Sequence, residues 1–225
     1  ACGSADLLEA LGVSLDVGPE GVAACVREAG IGFCFAPRYH PALRFAAAPR
    51  RELGVPTTFN FLGPLANPAR VRRQVVGVAD PGMADRIVHT LAELGASRAM
   101  VFFGHDGLDE LTTTDVSTVR EYRDGEHRVW LLDPAEHGIA RSTRDALVGG
   151  DPAHNAAMAR RLLDGEPGPV RDVVVLNAAA ALVVADAAPD LDAALALAGR
   201  VIDEGAASAA LDRLVATSTA HAEPS

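Results

Sequence analysis

The sequence predicts an α/β protein, a mixed and mostly parallel sheet flanked by helices, and three features of the 225-residue chain predict it. Residues 74–103 alternate strand, helix, strand; residues 118–132 carry a hairpin pattern around Asp124-Gly125; from Asp151 onward each segment has helical spacing. A strand–helix–strand unit implies parallel neighbours joined by a right-handed crossover, with ligands gathering beyond the carboxyl ends of the strands. With 49% hydrophobic residues but only 4% aromatics, the core must be filled mainly by Val, Leu, Ile and Ala. That favours helices packed closely on a sheet.

Taken in order, Ser4 is a plausible N-cap for a helix over 5–11 that stops at Gly12, and Pro19 opens a second helix ending at Gly30. Residues 31–36 form a brief apolar run that fits a strand or a buried turn equally well. Residues 41–53 have apolar positions at 42, 43, 45, 46 and 53, and Pro49 should kink or break any helix there. A β-branched run over 74–79 ends at Asp80-Pro81, a helical face over 83–94 ends at Gly95, and an apolar run over 98–103 ends at Gly104. Segments 118–122 and 128–132 flank Arg123-Asp124-Gly125-Glu126 and should form an antiparallel hairpin on the edge of the sheet. Helices are predicted over 152–163, 170–185, 191–204 and 207–216. The second is apolar on nearly all faces and so expected to be buried, and the tail from Thr217 is expected to fray.

The formal net charge is −10, and every basic residue is arginine. Between Arg38 and Arg73 lie seven arginines (38, 44, 50, 51, 70, 72 and 73) against one acid, Glu52. Such a basic island suits an anionic small molecule better than a long polyanion, which the remaining surface would repel, so no nucleic-acid partner is expected. The plain alternative is the solvated face of one helix and its loop. Cys2, Cys25 and Cys34 form no C-x-x-C pair, which supports neither a disulfide framework nor a zinc site and fits a reducing cytoplasm. No signal peptide is visible, and the most apolar run, 173–185, is interrupted by Asn177 and too short to span a bilayer, so no membrane partner is expected. The chain begins Ala-Cys-Gly-Ser without an initiator methionine, and it is expected to lack an N-terminal part.

Four stretches carry a resemblance. They are Phe35-Ala36-Pro37 with His40-Pro41, then Pro49-Arg50-Arg51-Glu52-Leu53-Gly54, then Asn60-Phe61-Leu62-Gly63-Pro64-Leu65-Ala66-Asn67-Pro68, and Asp106-Gly107-Leu108-Asp109-Glu110-Leu111. In this order and spacing the chain closely resembles anthranilate phosphoribosyltransferase, from residue 1 to about residue 215. The resemblance implies a nucleoside phosphorylase/phosphoribosyltransferase class-II-like architecture. Residues 37–70 would then form part of a small helical lobe, and residues 1–36 and 71–225 would lie in the large α/β lobe.

Asp109 and Glu110 are adjacent carboxylates after a strand. On sequence alone such a pair is usually a solvated turn, although magnesium does prefer one or two protein carboxylates completed by waters and substrate phosphates. The resemblance assigns the metal role, Mg2+ held with phosphoribosyl diphosphate, to Asp109 and Glu110. It also assigns Arg50 to the anthranilate carboxylate, for which a planar guanidinium fork is suited, and Ser4 to phosphoribosyl diphosphate. Arg51 is read as a surface or structural partner and His40 as scaffold, while His105 receives no role.

The implied reaction transfers the 5-phosphoribosyl group to the amine of anthranilate in tryptophan biosynthesis. The amine is already a nucleophile, so no covalent nucleophile, general base or other catalytic residue is named. Relatives commonly form homodimers through the helical lobe. Upstream G-T-G-G-D, N-x-S-T and K-H-G-N segments of the family do not occur in this chain, which is expected to weaken its diphosphate site. Three alternatives stand beside this reading: a pyrimidine nucleoside phosphorylase-like enzyme, a noncatalytic nucleic-acid-binding relative, and an inactive fragment.

Overall fold

The computed structural model describes residues 2–43, 45, 52, 54 and 61–223. The chain forms two compact units: residues 1–57, 149–166 and 201–225 in the first, residues 58–148 and 167–200 in the second.

The first unit is helical. Helices α1 (Ser4–Ala10), α2 (Pro19–Ala29) and the single turn α3 (Ala36–Tyr39) precede a short 3-10 turn at Pro41–Leu43. Gly30 closes α2 with φ 80°, as the sequence indicated. Ser4, in contrast, is the first helical residue and not the cap. Gly3 holds that position, and its N–H donates to the Asp6 carboxylate at 2.8 Å, so the third residue of the helix reaches back to satisfy the free end. Residues 31–35 form neither strand nor buried turn, and Ile31 is 51% exposed. The kink expected at Pro49 lies outside the described residues.

The second unit holds the sheet. After the turn α4 (Leu62–Leu65) come β1 (Arg73–Gly77), helix α5 (Pro81–Glu93), β2 (Arg98–Gly104), β3 (Ser117–Arg123) and β4 (Glu126–Leu132). The strands lie in the order β1-β2-β3-β4, β1 parallel to β2 and the other neighbours antiparallel, with Val75 opposite Met100 and Val119 opposite Phe102. Asp80 caps α5 by accepting from Gly82 N–H at 2.9 Å, with Pro81 at the first helical position, so the helix starts earlier than its apolar face alone suggests. The β3–β4 turn is Asp124-Gly125 with φ 49° and 96°, the primed geometry whose twist matches a hairpin.

The later helices are α6 (Pro152–Leu163), α7 (Pro169–Val184), α8 (Leu191–Asp203) and α9 (Ala206–Ala220). Two expectations fail here. The tail does not fray at Thr217: α9 runs on to Ala220, Thr217 and Ser218 are buried, and Ser218 Oγ accepts from Ser14 N–H at 3.1 Å. Nor is α7 buried all round, since it buries Leu176, Ala179, Ala180, Val183 and Val184 while Val174 stays 41% exposed.

Strand β2 is covered on both faces. Ala99 and Val101 meet Ala84, Ile87, Val88 and Leu91 of α5, while Met100 and Phe102 meet Leu176, Ala180 and Val183 of α7. Burial on both faces explains why β2 reads as one apolar run and not as an alternation. In the first unit Val13, Cys25, Ala29 and Leu214 make a separate small core joining α2 to α9.

Candidate active site

The chain leaves β2 at Gly104 into a loop that returns as β3, beyond the carboxyl end of β2. Its first half is wound around Asp106. The Asp106 carboxylate accepts from Leu108 N–H at 3.2 Å, from Thr112 Oγ1 at 2.7 Å and from Thr114 Oγ1, while Arg144 donates to the Asp106 carbonyl at 3.3 Å. Burial pushes this carboxyl up, but the hydrogen bonds from Thr114, Thr112 and the Leu108 backbone outweigh it and hold the acid below the ordinary range. Thr112 and Thr113 are fully buried. Thr112 N–H donates to Ser117 Oγ at 3.0 Å, and Thr113 meets Ser142 both through hydroxyls at 2.8 Å and through its carbonyl at 2.9 Å. Gly104 is required here, because a methyl group on it would overlap the Asp106 carboxylate.

Asp109 and Glu110 stand where this tied loop passes the end of β1. A methyl group on Gly77 would overlap the Asp109 carbonyl, so the acidic pair can reach this place only across a glycine. Both residues are exposed, and among the described residues neither carboxylate has a hydrogen-bond or ion-pair partner. Crowding by the surrounding chain, and then the negative charge of Asp109, raises the pKa of Glu110. Two adjacent carboxylates with no cation between them are the donor set a hard divalent ion prefers. Among the described residues no cluster of three or more His, Cys, Asp and Glu offers a protein-only metal cage. The pair therefore fits magnesium, which keeps waters and phosphate oxygens for its remaining positions.

Ser4 belongs to the first unit, is exposed, and its hydroxyl has no partner among the described residues. Arg50 and Arg51 lie outside the described residues. His105 Nε2 meets Thr118 Oγ1 at 2.8 Å and its ring stacks on Phe103. Part of the basic island is structural: Arg38 pairs with Glu223, Arg72 Nε donates to Gly95 O at 3.0 Å, and Arg73 donates to Ala185 O at 2.6 Å and pairs with Asp186 at 2.6 Å. The sequence reading missed Asp106 as the hub of the loop. It also missed Asn177, whose side chain hydrogen-bonds both backbone groups of Leu111 from 66 residues away.

A cavity of about 520 Å3 runs along the α7 face of the sheet, between Arg98, Glu121 and Arg123 at one end and Leu111 and Leu132 at the other. Neither Asp109 nor Glu110 lines it.

The family model described as "Glycosyl transferase family, a/b domain" matches residues 1–208. Anthranilate phosphoribosyltransferase of Rhodococcus jostii is 54% identical over 220 residues, covering 94% of this chain and 60% of the relative. That of Chloroflexus aggregans is 50% identical over 223 residues, covering 98% and 66%. The chain thus spans about two thirds of the length of the curated relatives it matches. The crystal structure of anthranilate phosphoribosyltransferase from Thermus thermophilus superposes with a TM-score of 0.90 at 45% identity, covering 96% of this chain and 64% of that one. The enzyme from Saccharomyces cerevisiae in complex with PRPP and Mg superposes with a TM-score of 0.89 at 24% identity, covering 97% and 63%, a likeness of fold. With that family model matched over most of its length, and with relatives at 50–54% identity, this chain belongs to the glycosyl transferase family and is similar to the anthranilate phosphoribosyltransferases named here.

Proposed function

We propose that the whole protein transfers the 5-phosphoribosyl group of phosphoribosyl diphosphate to the amine of anthranilate, giving N-(5-phosphoribosyl)anthranilate and diphosphate in tryptophan biosynthesis. The observation that carries it is the unpaired Asp109-Glu110 pair beyond β2 in a chain 54% identical to a relative of that name. The amine nitrogen bonds to C1 of the ribosyl group as the C1–O bond to diphosphate breaks. The electron pair of that bond leaves with diphosphate, and the amine gives up one proton. Asp109 and Glu110 would hold magnesium, and the bound ion would neutralise charge on the departing diphosphate. The loop wound on Asp106 keeps both carboxylates at the end of the sheet, so the protein contributes placement and charge and no covalent nucleophile.

Arg50 would pair with the anthranilate carboxylate through its two-pronged guanidinium, and the Ser4 hydroxyl, without a partner among the described residues, would contact phosphoribosyl diphosphate. We assign residues 37–70 to part of a small helical lobe of the whole protein and residues 1–36 and 71–225 to the larger lobe, with homodimers forming through the helical lobe. A cytoplasmic site of action suits a chain whose three cysteines are free. Among the described residues no helix is long and apolar enough to cross a membrane.

The test is the appearance of fluorescent phosphoribosylanthranilate when the whole protein meets both substrates and Mg2+. No product from a folded whole protein would overturn the reading. Arg50→Ala should raise KM for anthranilate at least about tenfold, the value of one charge-assisted pair, with KM for phosphoribosyl diphosphate little changed. Equal effects on both constants would remove Arg50 from the acceptor site.

A further inference from the structure

Glu110 is followed directly by Leu111, and the backbone of Leu111 is held by a single side chain from a distant helix. Asn177, in α7, accepts from Leu111 N–H through Oδ1 at 3.0 Å. Its Nδ2 donates to Leu111 O at 2.9 Å and, with its other hydrogen, to Val173 O at 2.9 Å in its own helix. Both donors of the amide and its oxygen are thereby engaged. The Val173 bond fixes the amide plane against the helix, so the two remaining bonds clasp one peptide unit on each side of residue 111. The side chain of Leu111 is 1% exposed and packs against Leu176 and Ala180 of the same helix.

We propose that Asn177 is a positioning residue for the acidic pair: by clasping Leu111 it fixes the backbone from which Asp109 and Glu110 present their carboxylates to a divalent cation. The inference rests on the reading of those two acids as the metal-holding pair. Only an amide supplies what the clasp needs. A carboxylate can accept from Leu111 N–H but repels Leu111 O, an apolar side chain leaves both backbone groups unsatisfied, and a hydroxyl on so short a side chain cannot serve both. Asp106 and its threonines fix the same loop at its start, so the acids lie between two anchors. Arg144 and Ser142 brace the same loop at Asp106 and Thr113, but the Asn177 clasp is the anchor next to Glu110 in the chain, which makes α7 the element that sets the aim of the acids.

The experiment titrates the whole protein with Mn2+ in the presence of phosphoribosyl diphosphate, reading free ion by electron paramagnetic resonance. Asn177→Ala should weaken Mn2+ binding about tenfold or more, the usual effect of losing a partner behind a metal ligand, while KM for anthranilate stays within about twofold of the parent by the same argument. Asn177→Asp should also weaken binding, even though its added negative charge would by itself attract the ion. A folded variant of either kind that binds Mn2+ as tightly as the parent overturns the inference. Asp109→Ala with Glu110→Ala is measured alongside. If that protein still binds Mn2+ normally, the metal reading itself has failed. If it loses Mn2+ while Asn177→Ala keeps it, only the positioning role has failed. Should neither Asn177 variant fold, hydrogen exchange at the Leu111 amide of the unsubstituted protein decides. Mg2+ with phosphoribosyl diphosphate should slow it severalfold, because coupling between the clasp and the metal is reciprocal, and an unchanged rate overturns the inference.

Discussion

At the amino end of β2, Arg98 is buried and every charge near it is answered. Its guanidinium meets Glu121 at 2.9 Å, Asp186 at 2.7 Å and the Val183 carbonyl at 2.5 Å, with Arg73 and Arg123 drawn to the same Asp186. In the loop beyond the carboxyl end of β2, Asp109 and Glu110 stand exposed with no cationic side chain paired to them among the described residues. The first arrangement ties α7 to the sheet, since arginines suit the free carbonyls at a helix C-terminus. The second holds unmet negative charge on a rigid loop, which is a readiness to bind. One strand thus separates charge that is paired within the fold from charge that has no side-chain partner among the described residues, and perturbing each end should have opposite signatures.

The largest expected effect is on the closed end. Arg98→Met should destabilise the protein by about 3–5 kcal/mol, because it leaves Glu121 buried and unpaired. Chemical denaturation checks this, and a loss below about 1 kcal/mol would show that the cluster is ordinary surface electrostatics. Next comes the open end. Asp109→Ala with Glu110→Ala should lower magnesium-dependent kcat/KM by about 100-fold or more while leaving the unfolding midpoint unchanged or higher, since it removes uncompensated like charge. Unchanged magnesium dependence would refute the metal assignment. Gly77→Ala blurs the two signatures on purpose. Overlap with the Asp109 carbonyl should cost about 1–3 kcal/mol and displace the acids, so stability and Mn2+ affinity should fall together.

The smallest effect is on pH. The folded protein holds Glu110 above its ordinary pKa, so it favours the protonated acid. The stability this confers is complete below the unfolded value and is lost as pH rises through the folded one. Glu110→Gln should therefore raise the thermal midpoint at pH 7 relative to that at pH 4. In the parent, Mn2+ affinity should begin to fall on acidification at a higher pH than an ordinary glutamate would give. A pH response identical in parent and variant would remove Glu110 from the titration.

The strands and their turns were legible because their signals are local, although the mixed sheet, expected to be mostly parallel, has one parallel and two antiparallel pairings among the described residues. The Pro81 helix start, the apolar run of β2 and the Asp124-Gly125 turn each state their own conformation within a few residues. The place of Asp109 and Glu110 in the loop after β2 was legible in the sequence. The contacts that hold that loop were not, because the Gly77 contact, the Asn177 clasp and the Arg144 bond join residues 32 or more positions apart, and spacing carries no trace of such pairings. Ser4 misled for a related reason. A serine before an apolar face is a good cap, but the Asp6 carboxylate instead accepts from Gly3 N–H, so Gly3 takes the cap position and the helix begins one residue sooner.

Strand β4 has one neighbour, β3, among the described residues, and its outward side chains Val129 and Leu131 are 60% and 62% exposed. An open ribbon with greasy side chains is a template for unwanted association between chains. Glu126 and Arg128 add exposed charges of opposite sign along the same strand, so resistance to association at this edge rests on few residues. Neutralising them should make the protein harder to keep in solution.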